Sequence, residues 1–454
     1  MTQNEALAIL KTGANVFLTG EPGSGKTHTV NQYVAYLREH SIEPAITAST
    51  GIAATHIGGY TVHSWSGIGV KRDLTPYDLD AIASNKRVWG RVRNTSVLII
   101  DEVSMLSAST LEMVDAVCQE VRRERRPFGG LQVVLVGDFF QLPPVTKREE
   151  KNEEEIQLLF DEGPRFACDA TAWGSLHLIP CYLSEQHRQE DKKFLDFLSA
   201  VRRAEVTPVH RALLKERFAG RAREGVTELY SHNANVDTLN GEQLRKLPGT
   251  ARQFQMGSWG SERLVAGLKR GCLSPEVLSL KVGARVMFTK NDTITGRFAN
   301  GTLGTVAGFD SSEGYPMVKT NSGSSVVAEP MEWNLQDAGK VLARVEQVPL
   351  RLAWAMTIHK SQGMSLDAAH MDLSNTFEYG QGYVALSRVR TLKGLSLAGF
   401  NDRALEVHPA ILEKDVEFRA ESEQAREIFA RLSAPELKTM QRNFIRACGG
   451  REAK

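Results

Sequence analysis

The stretch Gly20-Glu21-Pro22-Gly23-Ser24-Gly25-Lys26-Thr27 constrains this chain more than any other. It follows the apolar run Val16-Phe17-Leu18. It opens a helix in which Val30, Tyr33, Val34 and Leu37 recur at helical spacing. Strand, glycine-rich turn and Lys-Thr at a helix start make the P-loop arrangement. Gly23 and Gly25 let the backbone bend so that several N–H groups converge on a phosphate. The helix N-terminus adds its partial positive charge. Lys26 is placed for the β- and γ-phosphates and the Thr27 hydroxyl for Mg²⁺. The expected nucleotide cradle is therefore Gly20, Gly23, Ser24, Gly25, Lys26 and Thr27.

Around this loop, short apolar runs alternate with helical patterns. Strands are expected at Asn15–Thr19, Ala45–Ser49, Ser96–Asp101 and Gln132–Asp138. Helices are expected at Gly25–His40 and Ser107–Arg126, with a further helix start at Gly51–Ile57. Leu111, Val114, Cys118 and Val121 line one face of the Ser107–Arg126 helix. This pattern reads as a parallel α/β sheet with ligands at the strand C-termini. Gly67–Arg91 interrupts the rhythm as a small polar insertion, and Lys147–Glu162 reads as a solvated loop. A second α/β unit begins at Thr227–Tyr230 and Val236–Leu247. Gly-rich turns and short β runs then fill Thr250 to Val345, which reads as a small β-barrel insert. The α/β texture returns at Leu350 and runs to Phe400, and a charged helical tail follows.

The length of 454 residues suggests about three domains. No apolar run approaches membrane-spanning length, so no membrane partner is expected. Without a secretory signal, a cytoplasmic location is expected. The five cysteines are scattered with no Cys-x-x-Cys pair, which argues against a zinc knuckle or a disulfide framework. With 55 basic and 54 acidic residues, bulk charge predicts no nucleic-acid partner. Such a partner would need a locally basic groove.

Two further motifs carry chemistry. Leu98-Ile99-Ile100-Asp101-Glu102 is an apolar strand ending in two carboxylates. Beside a P-loop, the first suits Mg²⁺ and the second a water to be polarised. Gly137-Asp138-Phe139-Phe140-Gln141 ends the next strand and makes Gln141 a γ-phosphate sensor. Arg188 and Arg388 stand in Ser184–Gln189 and Tyr383–Arg388. Spacing alone does not lift them above ordinary surface arginines.

The ordered set GEPGSGKT, ASTGIAATHIGGYTVHSWSGIG, LIIDEVSM, GDFFQLPPV, LSEQHRQ, AWAMTIHKSQGMSLD and GQGYVALSRVRTLKGL closely resembles the Pif-type superfamily-1 DNA helicases, relatives of RecD. It spans roughly Met1 to Phe400. The resemblance implies two RecA-like motor domains with ATP between them, a wedge insertion and an SH3-like β insertion. The implied divisions are 1–205 for the first motor domain (wedge about 67–91), 206–250 with 346–410 for the second, 251–345 for the β insertion and 411–454 for the tail. It also implies 5′-to-3′ translocation on single-stranded DNA, unwinding of forked or structured DNA, and roles in repair, recombination and telomere or genome maintenance. By resemblance Gln3 reads adenine. Lys26, Thr27, Asp101, Glu102, Gln141, Arg188 and Arg388 serve ATP and its hydrolysis, and Gly363 lies near the nucleotide. Since the nucleotide site needs no partner subunit, a monomer is expected.

For DNA, the expected contacts are Ser49, Thr50 and His63 in the first half and Thr357, His359 and Lys360 in the second. Trp65 is a base-stacking candidate that competes with an ordinary core role. Asn233, Val236 and Asn240 match a strand-facing family pattern. The tail, with Phe444 and Ile445 before Gly449-Gly450, reads as a partner-binding helical pair or as a brace on the second motor domain, the brace being favoured. Three other readings stay open: a GTPase (Thr289-Lys290-Asn291-Asp292 fits a guanine-reading pattern), a DNA-stimulated remodeller that does not unwind, and an RNA motor.

Overall fold

The computed structural model describes residues 1–451 except 51–52, 55–58, 70, 145–165, 185–190, 221, 224–225, 232–235, 293–295, 338–339, 363 and 365. The Lys147–Glu162 loop and most of the Gly51–Ile57 helix start therefore lie outside the described residues. The chain divides into two compact units, Met1–Arg188 with Pro409–Lys454, and Gln189–His408.

The first unit is built on β1 (Val16–Gly20), β2 (Ala45–Ala48), β3 (Tyr60–Thr61), β4 (Val97–Asp101), β5 (Gln132–Val136) and β6 (Ile179–Leu183). They form one sheet in the order β3-β2-β4-β5-β1-β6, and every pairing is parallel. Central parallel strands are covered on both faces, which is why β1, β4 and β5 are almost uninterrupted apolar runs. Alternation on β1 separates the two faces. Val16 and Leu18 join α1 (Gln3–Leu10) and α2 (Lys26–Glu39) in one core, with Tyr33, Val34 and Leu37 inward. Phe17 points the other way, into an aromatic cluster with Phe139, Trp173 and Phe418. A capping box between Thr2 and Glu5 starts α1. The helix Ala108–Arg122 buries Leu111, Val114, Cys118 and Val121, the face that the sequence shows. The interruption after Gly67 is a pair of short helices, Pro76–Ser84 and Lys86–Arg93.

The tail, expected on the second motor domain, belongs to the first unit. Its helix Pro409–Ala430 lies along the edge strand β6 and places Phe418 against Phe17 at 5.0 Å between ring centroids. Ala425 and, from the helix Ala434–Ala447, Ile445 reach the core on the opposite face of the sheet. Phe444 lies directly over Gly13, whose φ is 85°, leaving no room there for a Cβ. An edge strand exposes unpaired backbone groups that must be covered. Here the Ser422 hydroxyl accepts from the Tyr182 N–H at 2.9 Å, and the Met1 nitrogen donates to the Tyr182 carbonyl at 2.7 Å. The tail therefore covers the β6 edge of the sheet, next to the P-loop strand β1.

The second unit has a four-stranded parallel sheet in the order 355–357, 227–230, 369–373, 395–400. Between its first two strands in sequence, the chain makes a β-rich region. It comprises a five-stranded antiparallel sheet (325–327, 316–320, 303–309, 285–288, 350–352), a three-stranded sheet (331–337, 340–347, 257–260) and the pair 277–280 with 252–255. Leu278, Leu280, Val286, Phe288, Val306 and Val318 form its core.

Candidate nucleotide and DNA site

Because every strand of the first sheet points the same way, the segments after β1, β4 and β5 emerge at one edge. The P-loop follows β1. Gly20, Gly23 and Gly25 have φ of 145°, 89° and 89°, a region that L-residues with a Cβ rarely adopt. Space is equally restrictive. A Cβ on Gly20 would lie 2.7 Å from the Leu183 carbonyl, and one on Gly25 would lie 2.1 Å from Gln3 Nε2. Gln3 itself donates to the Ser24 carbonyl at 3.2 Å, so α1 delivers it onto the loop. Ser24 Oγ is buried with no hydrogen-bond partner among the described residues. Such a group is expensive to leave unpaired, and its position inside a loop of converging amides fits a phosphate oxygen. Lys26 Nζ donates to the Gly20 and Glu21 carbonyls at 2.8 and 3.2 Å. Thr27 follows in the first turn of α2 and is exposed.

Asp101 ends β4. Burial pushes its carboxyl up from the usual range, while the Glu102 N–H, at 2.8 Å, and the nearby Lys26 ammonium favour the charged form. A desolvated carboxylate is a hard oxygen donor that suits a small hard cation. Glu102 has φ 52° and ψ 45°, an uncommon left-handed backbone for a non-glycine residue. The turn is held from β2. Ser49 N–H donates to the Asp101 carbonyl at 3.1 Å, and Ser49 Oγ donates to the Glu102 carbonyl at 2.7 Å. Past β5, Asp138 is fully buried and receives the Gln141 N–H side chain at 3.3 Å and the Phe140 N–H at 3.2 Å. Asp138 thus orients Gln141. Its place in Gly137-Asp138-Phe139-Phe140-Gln141 was the signal available in the sequence, but its role was not read there.

Several expected DNA contacts have other duties. Trp65 is 1% exposed and packs as core, so its indole is not a stacking platform. The Ser49 hydroxyl proton is committed to the acid turn. Thr357 is 2% exposed within its strand, which places its side chain inside the second unit. Asn240 is buried and clamps the strand 355–357, donating to the Ala355 carbonyl at 2.8 Å and accepting from the Ala355 N–H at 3.0 Å. Val236 is likewise buried. Thr50 Oγ1 accepts from the Ala53 N–H at 3.2 Å. His63 and His359 are half-buried, and burial pushes both imidazoles below their usual pKa, so each is neutral at pH 7 and offers a dipole rather than a cation. Arg388 is 2% exposed, donating to the Val384 and Met364 carbonyls at 2.9 and 3.4 Å and to Ser387 Oγ at 2.9 Å. Arg188, Gly363, Asn233 and the side chain of Lys360 lie outside the described residues. Of the guanine-reading pattern, Lys290 binds the Glu332 carbonyl and sits over Trp333, and Asp292 pairs with Arg297, all within the β-rich region.

A P-loop after the fifth strand in sheet order, an acid pair after the third and a glutamine held by a buried aspartate after the fourth define a nucleotide-hydrolysing motor unit of the parallel-sheet class. Comparison with known proteins narrows that class. The family profile of the PIF1-like helicases matches residues 3–210. An ATP-dependent DNA helicase Pif1 of Psychrobacter sp. (strain PRwf-1) is 41% identical over 99% of this chain and 75% of its own length. The crystal structure of Bacteroides sp Pif1 in complex with ADP-AlF4 superimposes with a TM-score of 0.78 at 30% identity, covering 92% of this chain and 96% of that one. The Bacteroides Pif1 helicase in complex with ADP-AlF3 and ssDNA gives 0.61 at 30% identity, covering 92% and 97%. The chain belongs to the PIF1-like helicase family. Among the described residues no helix is long and apolar enough to cross a membrane.

Proposed function

We propose that this protein is an ATP-driven DNA helicase that tracks 5′ to 3′ along single-stranded DNA and opens forked or structured DNA. The observation that carries the reading is the convergence, at one sheet edge, of the Gly20–Thr27 loop with its orphaned Ser24 hydroxyl, the Asp101–Glu102 turn and the Asp138-held Gln141. Family membership supports it, as do the ADP-AlF4 and single-stranded DNA complexes of the Bacteroides relative. Gln3 reads the adenine edge, since an amide both donates and accepts. Loop amides and Lys26 hold the phosphates. Thr27 and Asp101 would hold magnesium, which when bound neutralises charge on the β- and γ-phosphates. Glu102 accepts a proton from the attacking water, and its left-handed backbone sets the direction of approach. Gln141 senses the γ-phosphate. Arg388 supplies transition-state charge by exchanging its internal acceptors for phosphate oxygens, and Arg188 adds to it, a contribution on the order of 10³-fold or more. Thr50, His63, His359 and Lys360 remain the proposed strand contacts. Gly363 lies near the nucleotide, and Asn233 faces the strand.

The proposed division assigns the two parallel sheets to two motor domains, the helical pair after Gly67 to a wedge and the β-rich region to an accessory clamp. The protein acts as a monomer in the cytoplasm.

The test is ATP hydrolysis with and without a short single-stranded DNA, wild type beside Glu102→Gln. DNA stimulation that falls by about 10²-fold or more in the variant, with DNA binding kept, is the expected result. Hydrolysis indifferent to DNA would sink the motor reading and favour RNA or protein as the activator.

A further inference from the structure

The net charge of the chain is +1, yet its basic residues are not evenly spread. The helix Lys86–Arg93 carries Lys86, Arg87, Arg91 and Arg93 with no acid, and the segment Arg122-Arg123-Glu124-Arg125-Arg126 carries four arginines and one glutamate. The fold joins these two stretches. Arg122 donates to the carbonyls of Arg93 and Thr95 at 3.3 and 2.9 Å and to that of Gly129 at 2.6 Å. It acts as the bracket that sets the end of one segment against the other. Arg91 is turned inward, donating to the Ser64 and Trp65 carbonyls, and the other six cations point outward. Lys86, Arg87, Arg93, Arg123, Arg125 and Arg126 are all exposed. Trp89 is 45% exposed among them, with the Arg93 guanidinium 5.2 Å from its ring centroid. The only acid in either segment, Glu124, is paired to Arg126 at 3.2 Å.

The position is as informative as the charge. Lys86–Arg93 ends just before β4 begins, and Arg122–Arg126 lies just before β5. In a parallel sheet the Arg93 end of the helix and the Arg122–Arg126 segment therefore sit at the edge opposite the P-loop, the acid pair and the segment after β2. The exposed cations of the patch are not residues of the nucleotide site or of the proposed single-strand track, although Arg91 joins their helix to Ser64 and Trp65 next to His63. A charge run is usually just a solvated face, and repulsion among eight cations opposes gathering them. Two separate segments bracketed together around an exposed indole, in a chain otherwise near neutrality, instead match the footprint of a phosphate backbone.

We infer that this arginine face binds the phosphate backbone of duplex DNA, holding the double-stranded arm while the other edge of the same sheet serves the nucleotide and the single strand. The inference rests on the reading of the chain as a DNA motor. A duplex is the occupant because its rigid, regular backbone charge suits a fixed cationic surface that offers few base-reading groups.

The test compares wild type with the fourfold variant Arg93→Gln/Arg123→Gln/Arg125→Gln/Arg126→Gln. Arg122 stays intact because it holds the fold. Affinities for a blunt duplex hairpin and for a single strand are measured across a salt series, beside ATP hydrolysis stimulated by single-stranded DNA. Loss of the phosphate contacts should weaken duplex binding about 10-fold or more near 0.1 M salt and flatten the log–log salt slope by about three. Single-strand affinity and stimulated hydrolysis should stay within about twofold of wild type. An unchanged duplex affinity and slope would overturn the inference and leave the face to an acidic protein. Equal losses on duplex and single strand would overturn it too. If the fourfold variant loses hydrolysis altogether, Lys86→Gln/Arg87→Gln on the helix decides by the same two readouts. Wild-type hydrolysis that ignores single-stranded DNA would instead defeat the motor reading, a distinct failure.

Discussion

At Gln3 a single amide occupies the space that a side chain on Gly25 would need. The contact is short-range and specific, so removing the amide should affect adenine reading before it affects folding. Gln3→Ala is expected to raise the KM for ATP and to narrow the preference for ATP over GTP by about 10-fold, as befits a lost pair of base-edge hydrogen bonds. Competition of GTP against ATP in the hydrolysis assay checks it, and an unchanged preference would remove Gln3 from the site. Asn240 makes the opposite case. Its side chain completes two backbone groups of a buried strand, so Asn240→Ala should destabilise the second unit by about 2–4 kcal/mol, seen in urea unfolding. Unchanged stability with weakened DNA binding would restore it to the DNA track. Trp65 and Thr357 follow the same lesson. A polar or aromatic residue inside a family motif is often there to build the element that carries the motif.

At the scale of elements, the edge strand β6 depends on the tail. Phe418 fills the aromatic cluster around Phe17, Phe139 and Trp173, and Ser422 completes the Tyr182 backbone. Phe418→Ala should cost about 3–5 kcal/mol, the ordinary range for an emptied aromatic site in a core. Because β6 pairs along the whole of β1, the loss should also disturb the start of the P-loop, where Gly20 packs on Leu183. Thermal unfolding with and without an ATP analogue measures both effects. A tail that could be truncated without change in stability would show that its packing contributes little. Helix Ala108–Arg122 and the strands at 16–20, 45–48, 97–101, 132–136 and 227–230 were legible in the sequence, because their apolar runs are regular and contiguous. Those at 60–61, 179–183, 355–357, 369–373 and 395–400 were not individually read. Nor was the helical pair after Gly67. Its apolar residues are few, and capping by Thr75 and Asn85 defines it more than any stripe does.

For the whole molecule, the decisive property is direction of travel. A partial duplex with a 5′ single-stranded tail should be unwound in the presence of ATP, and the same duplex with a 3′ tail should not. Equal unwinding of both would contradict the proposed polarity, and unwinding of neither would favour a remodeller that moves on DNA without separating it. The near-neutral charge of the chain gave no hint of a nucleic-acid partner. What matters is how the charge is distributed once Arg122 has joined two segments about thirty positions apart.

By itself, the order of residues determined the glycine-rich loop, the acid pair, the Gly137–Gln141 turn and the alternating α/β plan. Each of these is written in a few contiguous residues whose backbone and side chains act locally. Tertiary structure alone decided which motif residues are internal, as with Trp65, Thr357 and Asn240. It also decided that the last helices close the sheet of the first unit, and that the arginines gather at the edge opposite the P-loop. Those outcomes depend on which distant segments pack together, and burial is a property of the packed whole that no local pattern encodes.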